Sequence, residues 1–350
     1  MKVLHLVPAM EQGGVETVVC DLSRALVGSG CENVVLSKGG RLVARLEREG
    51  TRHIALDVKS KNPLSFFLRA ARLGRILAAE RPDLVCAHSR VPAWLFVWAN
   101  RKLGLKWITY AHGANSVSRY SAVMTRGDLT ITPSRFLADF LKRSYGLAEE
   151  KLRVVSPAVD FARFDPQALD EAFIARKRRE WGIAADDFVV MAVGRITPLK
   201  GYETLIRAVG GAKCVIVGDA DADHRAYLDS LRRLAGPNVI FAGGETKIPE
   251  CLSLASVVVS ANERKPESFG LSIAEALAMD RPVVAKAFGG ALELVRDGED
   301  GVLVRDGDFA SAIGKARRTG FAGIRARARE RFDAARMCAE TLAVYRELVG

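Results

Sequence analysis

The stretch Glu267–Glu275, ESFGLSIAE, sets two carboxylates eight positions apart with Phe269, Gly270 and Leu271 between them. A strand-like run, Val257–Ser260, ends just before it, and an apolar helical pattern begins at Leu271. The stretch therefore reads as a loop leaving the carboxyl edge of a sheet and entering a helix, with Ser268 as the expected N-cap. Gly270 allows close approach to the backbone, and the N–H groups of Phe269, Gly270 and Leu271 have no intrahelical partner. Such groups suit hydroxyl or phosphate oxygens. Glu275, about one turn into the helix, is placed to accept hydrogen bonds from a diol, and Glu267 from a second polyol. Taken alone, the pattern also fits a solvated helix residue.

A second stretch, GRITPLKG (194–201), follows the strand-like run Phe188–Val193. Its two cations, Arg195 and Lys200, lie five apart in a loop bounded by glycines, so both can converge on one diphosphate. A third, EQGGVE (11–16), joins the first strand to the first helix, and Gly13 and Gly14 allow an anion to approach that helix N-terminus. It is not GxGxxG, and no acidic residue closes the second strand, so the dinucleotide fingerprint is absent; a Walker loop is absent too. Two of the five histidines, His88 and His112, follow strand-like runs at their carboxyl ends. A lone histidine is more often structural than catalytic, but His112 is favoured because Gly113 opens space beside it. The run Asp219–Asp223, DADAD, fails the calcium-loop template, since no glycine follows Asp223 and Ser230 stands where glutamate is needed. No metal site is expected.

Elements that could position these residues recur along the chain. In the first half, Val3–Val7, Asn33–Leu36, His53–Leu56, Leu84–Ala87, Trp107–Tyr110 and Leu129–Thr132 read as strands. Helical patterns cover Val15–Gly28, Leu64–Glu80 and Ser134–Tyr145. The second half repeats the scheme with strands at Phe188–Val193, Cys214–Val217, Val239–Phe241, Val257–Ser260 and Pro282–Ala285, and helices at Tyr202–Val209, His224–Leu234 and Leu271–Met279. This alternation predicts an α/β chain of two doubly wound, Rossmann-like domains with parallel sheets, which bind ligands beyond the strands' carboxyl ends in a cleft. The expected domains are residues 1–165, with a long helix at 332–350 packing back on them, and 166–331; SPAVDFARFDP (156–166) breaks the pattern between them.

The chain has 350 residues and no apolar run near the ~20 that a membrane-spanning helix needs. Six scattered cysteines form no CxxC pair, which points to reduced thiols and a cytoplasmic setting. The net charge of +11 is uneven: residues 1–165 hold 25 Lys and Arg against 15 Asp and Glu, whereas 166–350 hold 27 against 26. The basic excess of the first half suggests an anionic partner there, such as a membrane surface, an anionic lipid or nucleic acid, with general solubility as the plainer reading.

Taken in order, the Gly-Gly loop, His112-Gly113, PSRFLADFLKRSYG (133–146), GRITPLKG, the Glu-x7-Glu element, RPVVA (281–285) and GGALELVRDGEDGVLV (289–304) resemble the retaining glycosyltransferases of family 4, which have the two-domain GT-B fold. The resemblance implies sugar transfer from a nucleotide donor with retained anomeric configuration. It implies that the 1–165 domain binds acceptor and the 166–331 domain binds the nucleotide sugar. It also implies that Arg195 and Lys200 bind the donor diphosphate, Gly14 offers backbone to the phosphates, and Glu275 holds the ribose. Glu267 and the amides of Phe269, Gly270 and Leu271 would hold the donor sugar, with His112 near the reacting centre. No cofactor or metal is implied, because Arg and Lys take the metal's electrostatic role. Three departures stand out: Pro157-Ala158-Val159-Asp160 stands for the family's Pro-Asn-Gly-Val-Asp linker, so any role of that Asn is lost; Asp280 replaces a Gly after the Glu-x7-Glu helix; and Gly218-Asp219-Ala220 lacks a second Gly. VKSKNPLSFFLRAARLGRIL (58–77) and AHSRVPAW (87–94) further resemble enzymes that build the bacterial lipopolysaccharide core.

The expected partners are thus a nucleotide-diphosphate sugar and an anionic lipid or glycolipid acceptor, met peripherally at the inner face of the cytoplasmic membrane. Arg69, Arg72 and Arg75 recur at spacing three on one helix, where they could rest on anionic lipid, with His88 near the acceptor. The plainer reading packs that helix's apolar stripe on the sheet and leaves the arginines solvated. The alternatives are a transferase for a soluble acceptor and a non-catalytic nucleotide-sugar-binding module. Nucleic acid is not expected, because the basic residues lack interleaved exposed aromatics.

Overall fold

A computed structural model describes residues 1–350 apart from Gln12 and Glu263. It divides into one unit of Met1–Ala158 with Ala334–Gly350, and another of Val159–Asp333. The crossing points thus lie at 158/159 and 333/334, several residues earlier than the sequence pattern suggests at the first and two later at the second.

The first unit is built on a wholly parallel sheet of β1 (Lys2–Leu6), β2 (Glu32–Ser37), β3 (Arg52–Ala55), β4 (Leu84–Ala87), β5 (Trp107–Tyr110), β6 (Leu129–Thr132) and β7 (Leu152–Val154). Its order is β3-β2-β1-β4-β5-β6-β7, so the direction of winding reverses between β1 and β4. The central strands are buried on both faces, which is why they read as unbroken apolar runs rather than alternating ones. One face packs Leu73 and Leu77 of the helix Phe66–Glu80 with Phe96 of the helix Arg90–Ala99. The other packs Leu22 and Leu26 with Leu342 and Tyr345 of the last helix, Ala334–Val349. That helix is separate from Ile324–Phe332, where the sequence pattern had suggested one helix starting at Phe332; the break falls at Asp333. The helix Arg135–Tyr145 shows how local chemistry sets its limits. Ser134 Oγ accepts from Leu137 N–H at 3.2 Å, and Gly146 ends the helix at φ 64°.

The second unit repeats the plan with β8 (Val189–Val193), β9 (Lys213–Val217), β10 (Val239–Gly243), β11 (Val257–Ser260), β12 (Val283–Lys286) and β13 (Gly301–Val304) in the order β10-β9-β8-β11-β12-β13. Winding reverses between β8 and β11, and Val257 and Val258 lie beside Val190 and Met191. Open parallel sheets of this kind bind ligands where the order reverses, at the carboxyl ends. In this unit those ends carry the loop from Gly194 and the loop from Ala261. All six cysteines are unpaired. Among the described residues, no helix is long and apolar enough to cross a membrane.

Candidate active site

In the second unit, the loops after β8 and β11 are held together. Lys200 Nζ, half-buried, makes an ion pair with Glu267 Oε1. Asn262 Nδ2, nearly buried, donates to the same oxygen at 3.0 Å. The two sequence stretches singled out for diphosphate and polyol binding therefore meet through one carboxylate. Asn262 was missed by sequence reasoning; its only signal was its place two residues beyond β11. Arg195, on the same loop as Lys200, is exposed, and its charge acts on Asp221.

Glycines set how closely these loops approach. A Cβ on Gly201, at φ 68°, would stand 1.8 Å from Ala261 O, so the lysine loop lies directly on the chain leaving β11. A Cβ on Gly218 would stand 2.0 Å from Gly194 O, and Gly194 N–H donates to Val217 O at 2.9 Å. Tyr202 Oη donates to Gly194 O at 2.7 Å, fixing the loop's other end. On the far side, Gly290 N–H donates to Glu267 O at 2.8 Å, and a Cβ on Gly290 would reach within 2.2 Å of Phe269 O. The Gly289-Gly290 turn thus backs the Glu267–Gly270 loop.

The helix Leu271–Ala278 follows. Its N-cap is Gly270, at φ 112°, with no side-chain cap, so the expectation of Ser268 as cap is corrected: the left-handed backbone that starts the helix needs a glycine. Phe269 buries its ring against Phe332, at 5.8 Å between centroids, and leaves only its backbone for a ligand. Glu275 is half-buried one turn into the helix. The Asp219–Asp223 run is used locally: Asp219 Oδ1 accepts from Gly244 N–H at 2.9 Å and Asp221 Oδ1 pairs with His224 Nδ1 at 2.5 Å. Among the described residues, no group of three or more His, Cys, Asp or Glu is arranged to hold a metal ion.

In the first unit, the helix Gly14–Gly28 begins at Gly14, where a Cβ would meet nothing within 4 Å. Gln12 of the same motif lies outside the described residues. His112, half-buried after β5, does not stand alone. Its Nε2 lies 2.9 Å from His88 Nδ1, and His88 Nε2 lies 2.9 Å from His5 Nδ1 in β1. Burial pushes His5 and His112 down to about 4 and His88 well below its ordinary value, which favours the neutral form of each ring. His88 is wholly enclosed and stacks on Tyr110 at 4.5 Å, which corrects its expected contact with acceptor or membrane: it reaches a ligand only through His112.

The helix Phe66–Glu80 brings a second correction. Arg69 is 5% exposed and donates to the carbonyls of Asp57, at 3.2 Å, and Asn62, at 3.1 Å. It ties down the loop before the helix and cannot face lipid. Arg72 and Arg75 are exposed, while Ala70, Leu73 and Leu77 pack inward as the plainer reading had it. The helix start instead exposes Leu64 (90%), Phe67 (61%) and Leu68 (54%) beside a groove of about 510 Å³ lined by Phe66, Trp94, Trp98 and Tyr120. Arg101 covers Trp98 at 3.4 Å and Arg126 covers Trp94 at 5.0 Å.

Comparison with known proteins fits this geometry. Residues 12–163 match Glycosyltransferase Family 4, and residues 173–319 match Glycosyl transferases group 1. A D-inositol 3-phosphate glycosyltransferase of Acidothermus cellulolyticus is 27% identical over 369 residues, covering 87% of this chain and 78% of that protein. A protein of the same description from Thermomonospora curvata is 34% identical over 198 residues, 49% of this chain and 45% of its own length. A glycosyltransferase structure from Rickettsia africae superposes with TM-score 0.88 at 25% identity, covering 99% of this chain and 98% of that one. Anabaena Alr3699/HepE in complex with UDP and glucose superposes with TM-score 0.85 at 23% identity, covering 99% and 100%. With a family 4 module on its first sheet and a group 1 module on its second, the chain belongs to the GT-B glycosyltransferases.

Proposed function

We propose that this enzyme moves a sugar from a nucleotide-diphosphate donor to a hydroxyl of a small, soluble, phosphate-bearing polyol, with retention at the anomeric carbon and without a metal. The observation that carries the donor half is the junction of Lys200, Glu267 and Asn262 where the second sheet reverses its winding. As the bond between sugar and diphosphate breaks, negative charge grows on the leaving oxygens. Arg195 and Lys200 supply fixed positive charge for it, the part that a divalent cation plays elsewhere. Glu267 holds Lys200 until donor arrives, then accepts from hydroxyls of the donor sugar. The amides of Phe269, Gly270 and Leu271 bind oxygens of the same sugar, Glu275 takes the ribose diol, and Gly14 offers backbone to phosphate. His112 contacts a sugar hydroxyl. The soluble acceptor is supported by the inositol-phosphate names of the relatives and by the basic excess of the first half, which suits a phosphate group.

A second reading keeps a lipid-linked acceptor at an anionic membrane. It is favoured by the exposed Leu64, Phe67 and Leu68 beside the aromatic groove, with Lys59, Lys61, Arg72 and Arg75 nearby in sequence. The lipopolysaccharide core is one acceptor of that kind. One experiment separates the readings. The protein, kept in excess chelator, is given UDP-, GDP- and ADP-sugars, first alone, then with an inositol phosphate or with vesicles carrying a phospholipid acceptor. Nucleoside diphosphate release stimulated by the soluble polyol phosphate is expected, with the donor's anomeric form kept in the product by NMR. Stimulation only by vesicles would favour the lipid. An inverted product, or activity restored only by Mg²⁺ or Mn²⁺, would reject retention or metal independence respectively. No release under any condition would leave a nucleotide-sugar-binding module.

A further inference from the structure

The three histidines of the first unit form one unbroken hydrogen-bond chain, His5–His88–His112, with N···N distances of 2.9 Å at both joints. Each joint can hold one proton. Neutral rings have one N–H each, so only two orders exist: every ring carries its proton on Nε2, or every ring carries it on Nδ1. We propose that Asn33 selects the first order, so that His5, His88 and His112 are all Nε2–H and His112 is left with Nδ1 as a hydrogen-bond acceptor.

The selection comes from the chain's inner end. Asn33 lies beside Val3 in the pairing of β2 with β1, which puts its side chain on the same face as His5. Asn33 Nδ2 donates to Thr51 Oγ1 at 3.4 Å, which turns its carbonyl oxygen the other way. Asn33 Oδ1 and His5 Nε2 are both buried, and each lacks a hydrogen-bond partner. Asn33 is near enough to act on the charged form of His5. A carbonyl oxygen can only accept, so the two atoms satisfy each other only when His5 Nε2 bears the proton. The opposite order would set two buried lone pairs against each other. With the inner end fixed, both joints follow, and the order reaches His112. Tyr110, stacked on His88, keeps the middle ring in plane; its own hydroxyl lies 2.7 Å from that of Tyr345.

The consequence concerns what His112 can recognise. A neutral ring with a bare Nδ1 accepts from a hydroxyl and does not donate to a phosphate oxygen. On the glycosyl-transfer reading, on which this step rests, His112 therefore selects a sugar hydroxyl, and His88 and Asn33 are positioning residues.

The order can be read directly. In the resting protein labelled with ¹⁵N-histidine, long-range ¹H–¹⁵N spectra at neutral pH should show His5, His88 and His112 protonated on Nε2 alone. Any of the three protonated on Nδ1 overturns the proposal, and this needs neither substrate nor variant. Asn33→Leu should give a mixture of both orders; three rings still wholly on Nε2 would show that Asn33 is not the selector. His88→Phe keeps a ring on Tyr110 and breaks both joints. It should release His112 to both forms and lower kcat roughly tenfold, the scale of one hydrogen bond, with little change in KM for donor. An unchanged kcat would overturn the positioning role, while the spectrum of the parent would still report the proton order.

Discussion

Two cations on one loop differ in their surroundings, and that difference bears on how each would be tested. Lys200 is tied to Glu267, whereas Arg195 is exposed. Lys200→Ala should lower turnover at saturating donor by on the order of 10²-fold, because it removes charge stabilisation that grows as the diphosphate leaves. Arg195→Ala should do the same without disturbing Glu267. Steady-state kinetics with saturating donor would check both, and normal turnover in the pair would remove this mechanism. Asn262→Ala should act mainly by loosening Glu267, with a loss nearer tenfold. A further expectation is acid sensitivity. His5 is fully buried and its pKa falls from 6.5 to about 4. Between those values the unfolded chain binds a proton that the native chain does not, so stability present above pH 6.5 is lost as pH falls toward 4. This one residue should cost ~2 kcal/mol by about pH 4.5. Chemical unfolding at pH 7 and pH 4.5 would measure it, and His5→Gln should flatten part of the slope.

Among the elements, loops closed on glycine are the least tolerant. Gly201→Ala forces a Cβ onto Ala261 O in a left-handed turn, and Gly218→Ala forces one onto Gly194 O. Each should destabilise by more than ~2 kcal/mol, and each should impair donor binding because the displaced loop carries Lys200 or Arg195. Thermal unfolding with and without nucleotide sugar would show it; unchanged melting would mean the loops can part without loss. The sheet and helix alternation was legible in the sequence because buried parallel strands are continuous apolar runs of known length. The strands Leu152–Val154 and Gly301–Val304 were not: the first is only three residues long, and the second is a run of four that directly follows the charged turn Arg296–Asp300. The donor loops were legible as punctuation by Gly, Arg, Lys and Glu, but their joining through Asn262 was not, since an asparagine after a strand has no spacing rule. Arg69 misled for a related reason: a helical wheel counts an arginine as surface and cannot see carbonyls of a preceding loop turned toward it. The apolar start of that helix is open to direct test. Leu64, Phe67 and Leu68 changed together to Ser should abolish binding to anionic vesicles if the lipid reading holds. Arg69→Gln should instead lower stability, by about 2 kcal/mol. Equal vesicle binding by parent and triple variant would show that this patch does not seat on lipid.

At the scale of the whole molecule, the last helix belongs to the first unit. Tyr345 is fully buried, its hydroxyl taking the Cys86 thiol at 3.3 Å and meeting Tyr110 Oη at 2.7 Å. Arg153 pairs with Glu347, and Arg336 donates to Ser156 O at 3.1 Å, so the last helix is fastened to the stretch just before residue 158, within the first unit. Removal of residues 334–350 should therefore expose the first unit to proteolysis while Val159–Asp333 stays protected, a contrast that hydrogen exchange would map segment by segment. Equal protection of both units would show that the helix is dispensable to the first.

That fastening also sets a timetable for a chain made from its N-terminus. The segment Val159–Asp333 is continuous, so a nascent chain can close it as soon as its last strand and helices leave the ribosome. The segment made first must wait, because the piece that covers one face of its sheet is translated only after the whole second unit. For the whole time needed to make the 175 residues of the second unit, the faces of Cys86 and Tyr110 meant for Tyr345 lack their cover. The order of completion is then the reverse of the order of synthesis, and a holding chaperone would find its substrate in the half of the protein that emerges first.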